Sequence, residues 1–149
     1  MYDWLLFIHI VAAMVWIGGS VLAGFFAMRA GQSRDPQRIR AFASDMVVAG
    51  RIFSFAALVI LVAGVLMVVT EDFWEWENTF IIIGFAGVLI GGALGGAFYT
   101  PQTEKVIEDI DADRHAEAGA RLQRIGRVAQ VELVLLLVVV FSMVANWGV

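Results

Sequence analysis

The chain has no cysteine, which removes disulfides and thiolate metal ligands from its chemistry. Histidine is nearly as scarce, with His9 and His115 alone. No glycine-rich phosphate loop, nucleophile–base constellation or basic nucleic-acid footprint is visible, so nucleic acid is not an expected partner. Charge is sparse as well: only 16% of residues are Asp, Glu, Lys or Arg, and their placement leaves long gaps. Trp4–Met28, Ile52–Thr70 and Asn78–Thr103 contain none, and Val128–Val149 contains only Glu132. The N-terminus has no basic segment before its first apolar run. That run is also too long for a signal peptide, so it is expected to be a retained helix.

What fills the gaps is apolar. Mean hydropathy is +0.82 and 60% of residues are hydrophobic, against roughly 45–50% in soluble domains. Each stretch supplies the about 20 residues needed to cross a hydrocarbon core. The expectation is an all-α membrane protein with a single transmembrane domain over residues 1–149. It should be a four-transmembrane-helix, up-down-up-down bundle. Helices are expected at about 4–28, 45–70, 78–101 and 127–148, with inner connections at about 29–44 and 102–126.

All ten Lys and Arg lie in two windows, Arg29–Arg51 and Lys105–Arg127, whereas the intervening turn Glu71–Glu77 has four acids and no base. The positive-inside rule then makes both basic connections cytoplasmic, with the two termini and the acidic turn outside. Tyr2, Trp4, Trp74, Trp76 and Trp147 fall at the same outer interface as an aromatic belt. A multi-pass location in a cytoplasmic membrane follows, with bilayer lipid as the first partner.

The two halves echo each other. Ile17-Gly18-Gly19-Ser20 matches Ile90-Gly91-Gly92-Ala93, and Gly50-Arg51-Ile52 matches Gly126-Arg127-Val128. A tandem two-helix repeat in one orientation would produce this pattern, as would the general frequency of Gly and Arg at such sites. The halves differ where chemistry is concerned, because His9 and Trp16 correspond to Ile82 and Leu89. In the third helix Gly84, Gly87, Gly91 and Gly95 recur at helical spacing, marking a helix-packing face. That face and the inner connections could equally serve a membrane-protein partner or a homo-oligomer. The second connection carries Ile107, Ile110, Leu122 and Ile125 between charges. It reads as an amphipathic extension on the inner leaflet or as a docking surface. Pro101 is expected to close the third helix.

His9 is the residue that points most directly at chemistry, since an imidazole among hydrocarbon faces a bundle interior. Met67 and Met143 are expected at its level on the second and fourth helices. Imidazole plus thioether suits haem iron or copper(I); methionines that merely fill gaps, and a histidine bonded to a neighbouring helix or relaying protons, would look the same. Trp16 is two turns along the same face as His9 and joins the candidate cofactor-binding set. Glu132 is the other costly residue, expected to pair with Arg51 as a structural lock or to admit a proton or cation. His115 reads as solvated, and the acidic turn as interfacial anchoring around Trp74 and Trp76.

The run His9…Trp16-Ile17-Gly18-Gly19, the opening Arg51-Ile52-Phe53 with Gly64-Val65-Leu66, and Pro101 resemble the bacterial CopD-like group of membrane proteins. That group includes copper-resistance D domains, HemJ-type protoporphyrinogen oxidases and uncharacterised four-helix members, to which the chain is most similar. The resemblance implies a haem b or copper-related role in a bacterial cytoplasmic membrane, with His9 as ligand. The HemJ type has further His and Lys in its helices, which the third helix here lacks. Copper-resistance D domains are larger and richer in His and Met. Three classes remain: a haem-binding redox protein, a copper or cation handling and transport protein, and a non-catalytic accessory membrane subunit.

Overall fold

A computed structural model describes residues 1–71 and 74–146; the interfacial Trp147, and Asp72 and Phe73 of the acidic turn, lie outside the described residues. The elements are α1 (Tyr2–Ser33), α2 (Pro36–Thr70), α3 (Thr79–Leu94), a π-helical turn Gly95–Tyr99, α4 (Thr100–Asp111) and α5 (His115–Val144). Among the described residues there is no strand. Among the same residues four helical stretches are long and apolar enough to cross a membrane, the third running unbroken from Thr79 to Asp111. The expected four-helix all-α architecture is therefore the one observed.

Neighbouring helices are antiparallel. Along α1, His9 meets Ile60 and Gly19 meets Phe53, so residue numbers rise on one helix as they fall on the other. The same holds for Gly84, Gly87 and Gly91 of α3 against Met143, Val139 and Glu132 of α5. Mid-bundle, Ala12, Trp16, Ala56, Ala57, Ile60 and Leu136 form one buried cluster. Alanines make up half of it, because helix association within lipid relies on close backbone approach. Large apolar side chains such as Phe7, Leu22, Phe55, Leu58, Val134 and Phe141 point outward. Such helices are hydrophobic on every side, and the outward face contacts lipid.

The glycines of α3 do not all do the same thing. A Cβ at Gly84 would run into the Met143 terminal methyl, one at Gly87 into Val139, and one at Gly91 into the Trp16 ring. Gly95, expected on the same packing face, has open space beside it and instead begins the π turn. In the echoing hairpins Gly19 and Gly91 are the crowded members of their pairs, whereas Gly18 and Gly92 face open space. The repeated motif is thus packed through different positions in its two copies.

At the basic end the connections at 29–44 and 102–126 are mostly helix, continuous with the spanning helices: α1 runs to Ser33 and α2 starts at Pro36. Ser33 Oγ donates to Ala30 O at 2.6 Å, Arg34 takes a left-handed φ of 52°, and the Asp35 carboxylate accepts Gln37 N–H at 3.0 Å. A left-handed C-cap, an Asp N-cap and a first-turn proline together reverse the chain in very few residues. The extensions then pack on one another: Ile39, Ala43, Val106, Ile110, Ala118 and Leu122 make a second buried cluster. Their apolar stripes meet inside the bundle, so the leaflet is not what covers them.

Pro101 does not end the third helix. The π turn just before it shifts the hydrogen-bond pattern by one residue, and Thr100 Oγ1 donates to Gly95 O at 3.0 Å. A π bulge relaxes the turn that the proline ring would otherwise crowd, and the helix continues past it. Beyond it, Asp109 is 3% exposed and accepts Arg114 Nη2 at 2.7 Å and Arg121 Nε at 2.6 Å. Arg40 reaches Asp111 from α2 at 2.6 Å. Carboxylates that accept charge-assisted bonds from forked guanidinium groups tie α2, α4 and α5 together.

Candidate functional site

Two cavities open at opposite ends of the bundle. The first is at the end that carries the termini. Its volume is about 170 Å³, and His9, Met67, Gly84, Trp74, Trp76 and Met143 are among its walls. The two methionines expected near His9 therefore line the same space as the imidazole. Gly64 on α2 lies beside the ring: a Cβ there would rest on His9 Cε1 at an ordinary 3.5 Å. His9 Nδ1 lies 3.0 Å from Ile60 O. A carbonyl only accepts, so Nδ1 carries the proton and Nε2 keeps its lone pair. Fixing one ring nitrogen on a backbone carbonyl is how proteins orient an imidazole for ligation through the other.

Around this cavity the acidic turn is arranged by aromatics and one amide. Trp74 stacks edge-on to Phe80 with centroids 5.1 Å apart, and Asn78 Oδ1 accepts Glu75 N–H at 3.0 Å. Glu75 and Glu77 are exposed. Among the described residues no group of three or more His, Asp or Glu could hold a metal ion. Any metal here would need the thioethers. His115 is exposed beside Asp113 at the other end, as expected of a solvated residue.

The second cavity, about 140 Å³, runs from Trp16 in mid-bundle to Val106 and Leu122 at the basic end. Trp16 belongs here and not with His9: it is 6% exposed, lies against Gly91 and is absent from the walls of the first cavity. Two turns along a helix that crosses a bundle are enough to move a side chain into a different compartment. Glu132 is also in this wall, at 6% exposure. The expected Arg51–Glu132 ion pair does not form. Arg51 is exposed on α2, and among the described residues no cation lies within ion-pair distance of the Glu132 carboxyl. What the carboxyl faces is Tyr99. The Tyr99 hydroxyl is buried without a hydrogen-bond partner of acceptable geometry. Reading the sequence missed Tyr99, because its position depends on the π turn. Its traces were the glycine pair shortly before Pro101 and the aromatic pair Phe98-Tyr99, which matches Phe25-Phe26 in the first half.

The profile of a family described as predicted integral membrane protein (DUF2269) matches residues 3–147. The chain belongs to that family. Comparison with curated proteins and with solved structures gives no match.

Proposed function

We propose that this member of the DUF2269 integral membrane family binds copper(I) in the cavity at its terminal end, as a copper-handling protein. His9 supplies Nε2, and Met67 and Met143 supply thioethers. The observation that carries the reading is the bond from His9 Nδ1 to Ile60 O, which leaves Nε2 as the free donor in a cavity shared with both methionines. Neutral imidazole and thioether are soft ligands that favour copper(I) over hard cations. The donor set carries no net charge, so a bound monovalent cation keeps its charge inside the bundle without an anionic partner.

The same cavity argues against haem b. About 170 Å³ is below the roughly 300–1,000 Å³ of pockets that hold drug-sized ligands, and a haem macrocycle is larger than those. The similarity of the first helix to copper-resistance D proteins agrees with the copper reading and is part of this proposal. So is the orientation: with both basic windows on the cytoplasmic side of a bacterial cytoplasmic membrane, the His9 cavity opens outward.

The test is a titration of purified, reduced protein with copper(I) against a coloured chelator. The protein should withdraw the ion stoichiometrically, His9→Ala should fail to do so, and His115→Ala should match the parent. Met67→Leu or Met143→Leu should weaken binding. Binding that survives His9→Ala, or no withdrawal from the chelator, would refute the proposal.

A further inference from the structure

Glu132 presents an unusual problem within lipid. It is 6% exposed on α5, its neighbours across the cavity are Trp16, Gly91 and Tyr99, and no cation approaches it among the described residues. A buried carboxylate without a counter-charge is strongly unfavourable, and such groups within membranes normally face a pathway or a ligand. The Tyr99 hydroxyl beside it is likewise buried and unpaired. The phenol and the carboxyl face each other at one wall of the cavity, and neither brings the positive charge that a buried carboxylate calls for.

The remaining walls say which ligand. Among the described residues Glu132 is the one charged side chain lining the cavity, and four aromatic residues line it too: Trp16, Phe42, Phe53 and Tyr99. One negative charge among aromatic faces selects a cation that is itself weakly hydrated. An inorganic divalent ion would require six or so close oxygen ligands. Here the side-chain oxygens other than the carboxyl and phenol are the hydroxyls of Ser20, Ser54, Thr100 and Thr103, and Glu132 is the one carboxylate. At about 140 Å³, the cavity resembles in size the about 150 Å³ cavity known to hold benzene.

We propose that the basic-end cavity is a binding site for a small organic monocation of quaternary-ammonium type, held by the Glu132 carboxylate against the rings of Trp16 and Tyr99. The site is distinct from the His9 cavity and does not depend on copper binding there. Gly91 is integral to it, because any side chain at that position would collide with Trp16 and press on Glu132 Oε1.

The test uses tetramethylammonium as the probe, with full-length protein in lipid nanodiscs and binding read by ligand-detected magnetic resonance. tert-Butanol, similar in shape but neutral, is the control. Tetramethylammonium should bind at least about tenfold more tightly than tert-butanol, a difference of about 1.4 kcal/mol. Glu132→Gln, which keeps the side chain's shape, should remove that preference. Gly50→Leu places a side chain in the cavity where a Cβ meets nothing within 4 Å, and it should block the probe while far-UV circular dichroism stays at the parent level. Equal binding of the two probes, binding that persists in Glu132→Gln, or no binding to the folded parent would each overturn the proposal.

Discussion

Gly91→Ala is the most informative single perturbation of the bundle. The added methyl would occupy space held by the Trp16 indole and would lie 3.3 Å from Glu132 Oε1. Trp16 is 6% exposed within the mid-bundle cluster of Ala12, Ala56, Ala57, Ile60 and Leu136, so a ring displaced by the methyl must move into the adjoining cavity and give up contacts with that cluster. Overpacking of this kind costs about 1–3 kcal/mol. Alanine also gains about 1 kcal/mol over glycine in helix propensity, which masks part of the loss. Gly92→Ala removes that ambiguity. It is one residue away on the same helix, and its Cβ would meet nothing within 4 Å. Propensity is then common to both variants, and the difference between them isolates the collision. Reversible unfolding in mixed micelles should place Gly91→Ala about 1–3 kcal/mol below Gly92→Ala, or roughly 5- to 140-fold in the folding equilibrium. Gly84→Ala should fall between them, because the atom it meets is the flexible end of Met143. If Gly91→Ala proved as stable as Gly92→Ala, the packing of Trp16 against α3 would be wrong.

Replacing His9 with Ala breaks the link from α1 to Ile60 O; unfolding measurements should show a loss of about 0.6–1.7 kcal/mol, the range for hydrogen bonds between membrane helices. Asp109→Asn unhooks both Arg114 and Arg121 from a buried carboxylate, whereas Asp111→Asn removes one exposed partner of Arg40. Thermal denaturation should therefore drop clearly for the first and little for the second, and the reverse order would refute the network's role. Cysteines placed at Gln32 and Glu77, both exposed and at opposite ends, should differ in labelling by a membrane-impermeant reagent on intact cells. Labelling at position 77 alone is the expected result, and labelling at position 32 alone would refute the proposed orientation.

Much of the architecture was legible because lipid imposes it. Charge-free runs the length of a bilayer have few options other than helix, and the four spans follow from that. The crowded positions of α3 were equally visible, since Gly84, Gly87 and Gly91 recur at helical spacing. Likewise, the placement of His9 with Met67 and Met143 rests on depth, which counting residues along a straight helix measures well.

What required the tertiary structure was rotation about each helix axis and the path beyond the apolar runs. Depth put Glu132 near Arg51, but helical phase turns Arg51 outward and Glu132 toward α3 and Tyr99. Trp16 shares a stripe with His9, yet helix crossing carries it into the other cavity. The π turn at Gly95–Tyr99 lets the chain pass Pro101 and brings α4 back against α2 and α5. Each of these depends on which neighbour a face meets. Local sequence determines that a helix forms and how deep each residue lies in it, while contacts between distant segments decide where each side chain points.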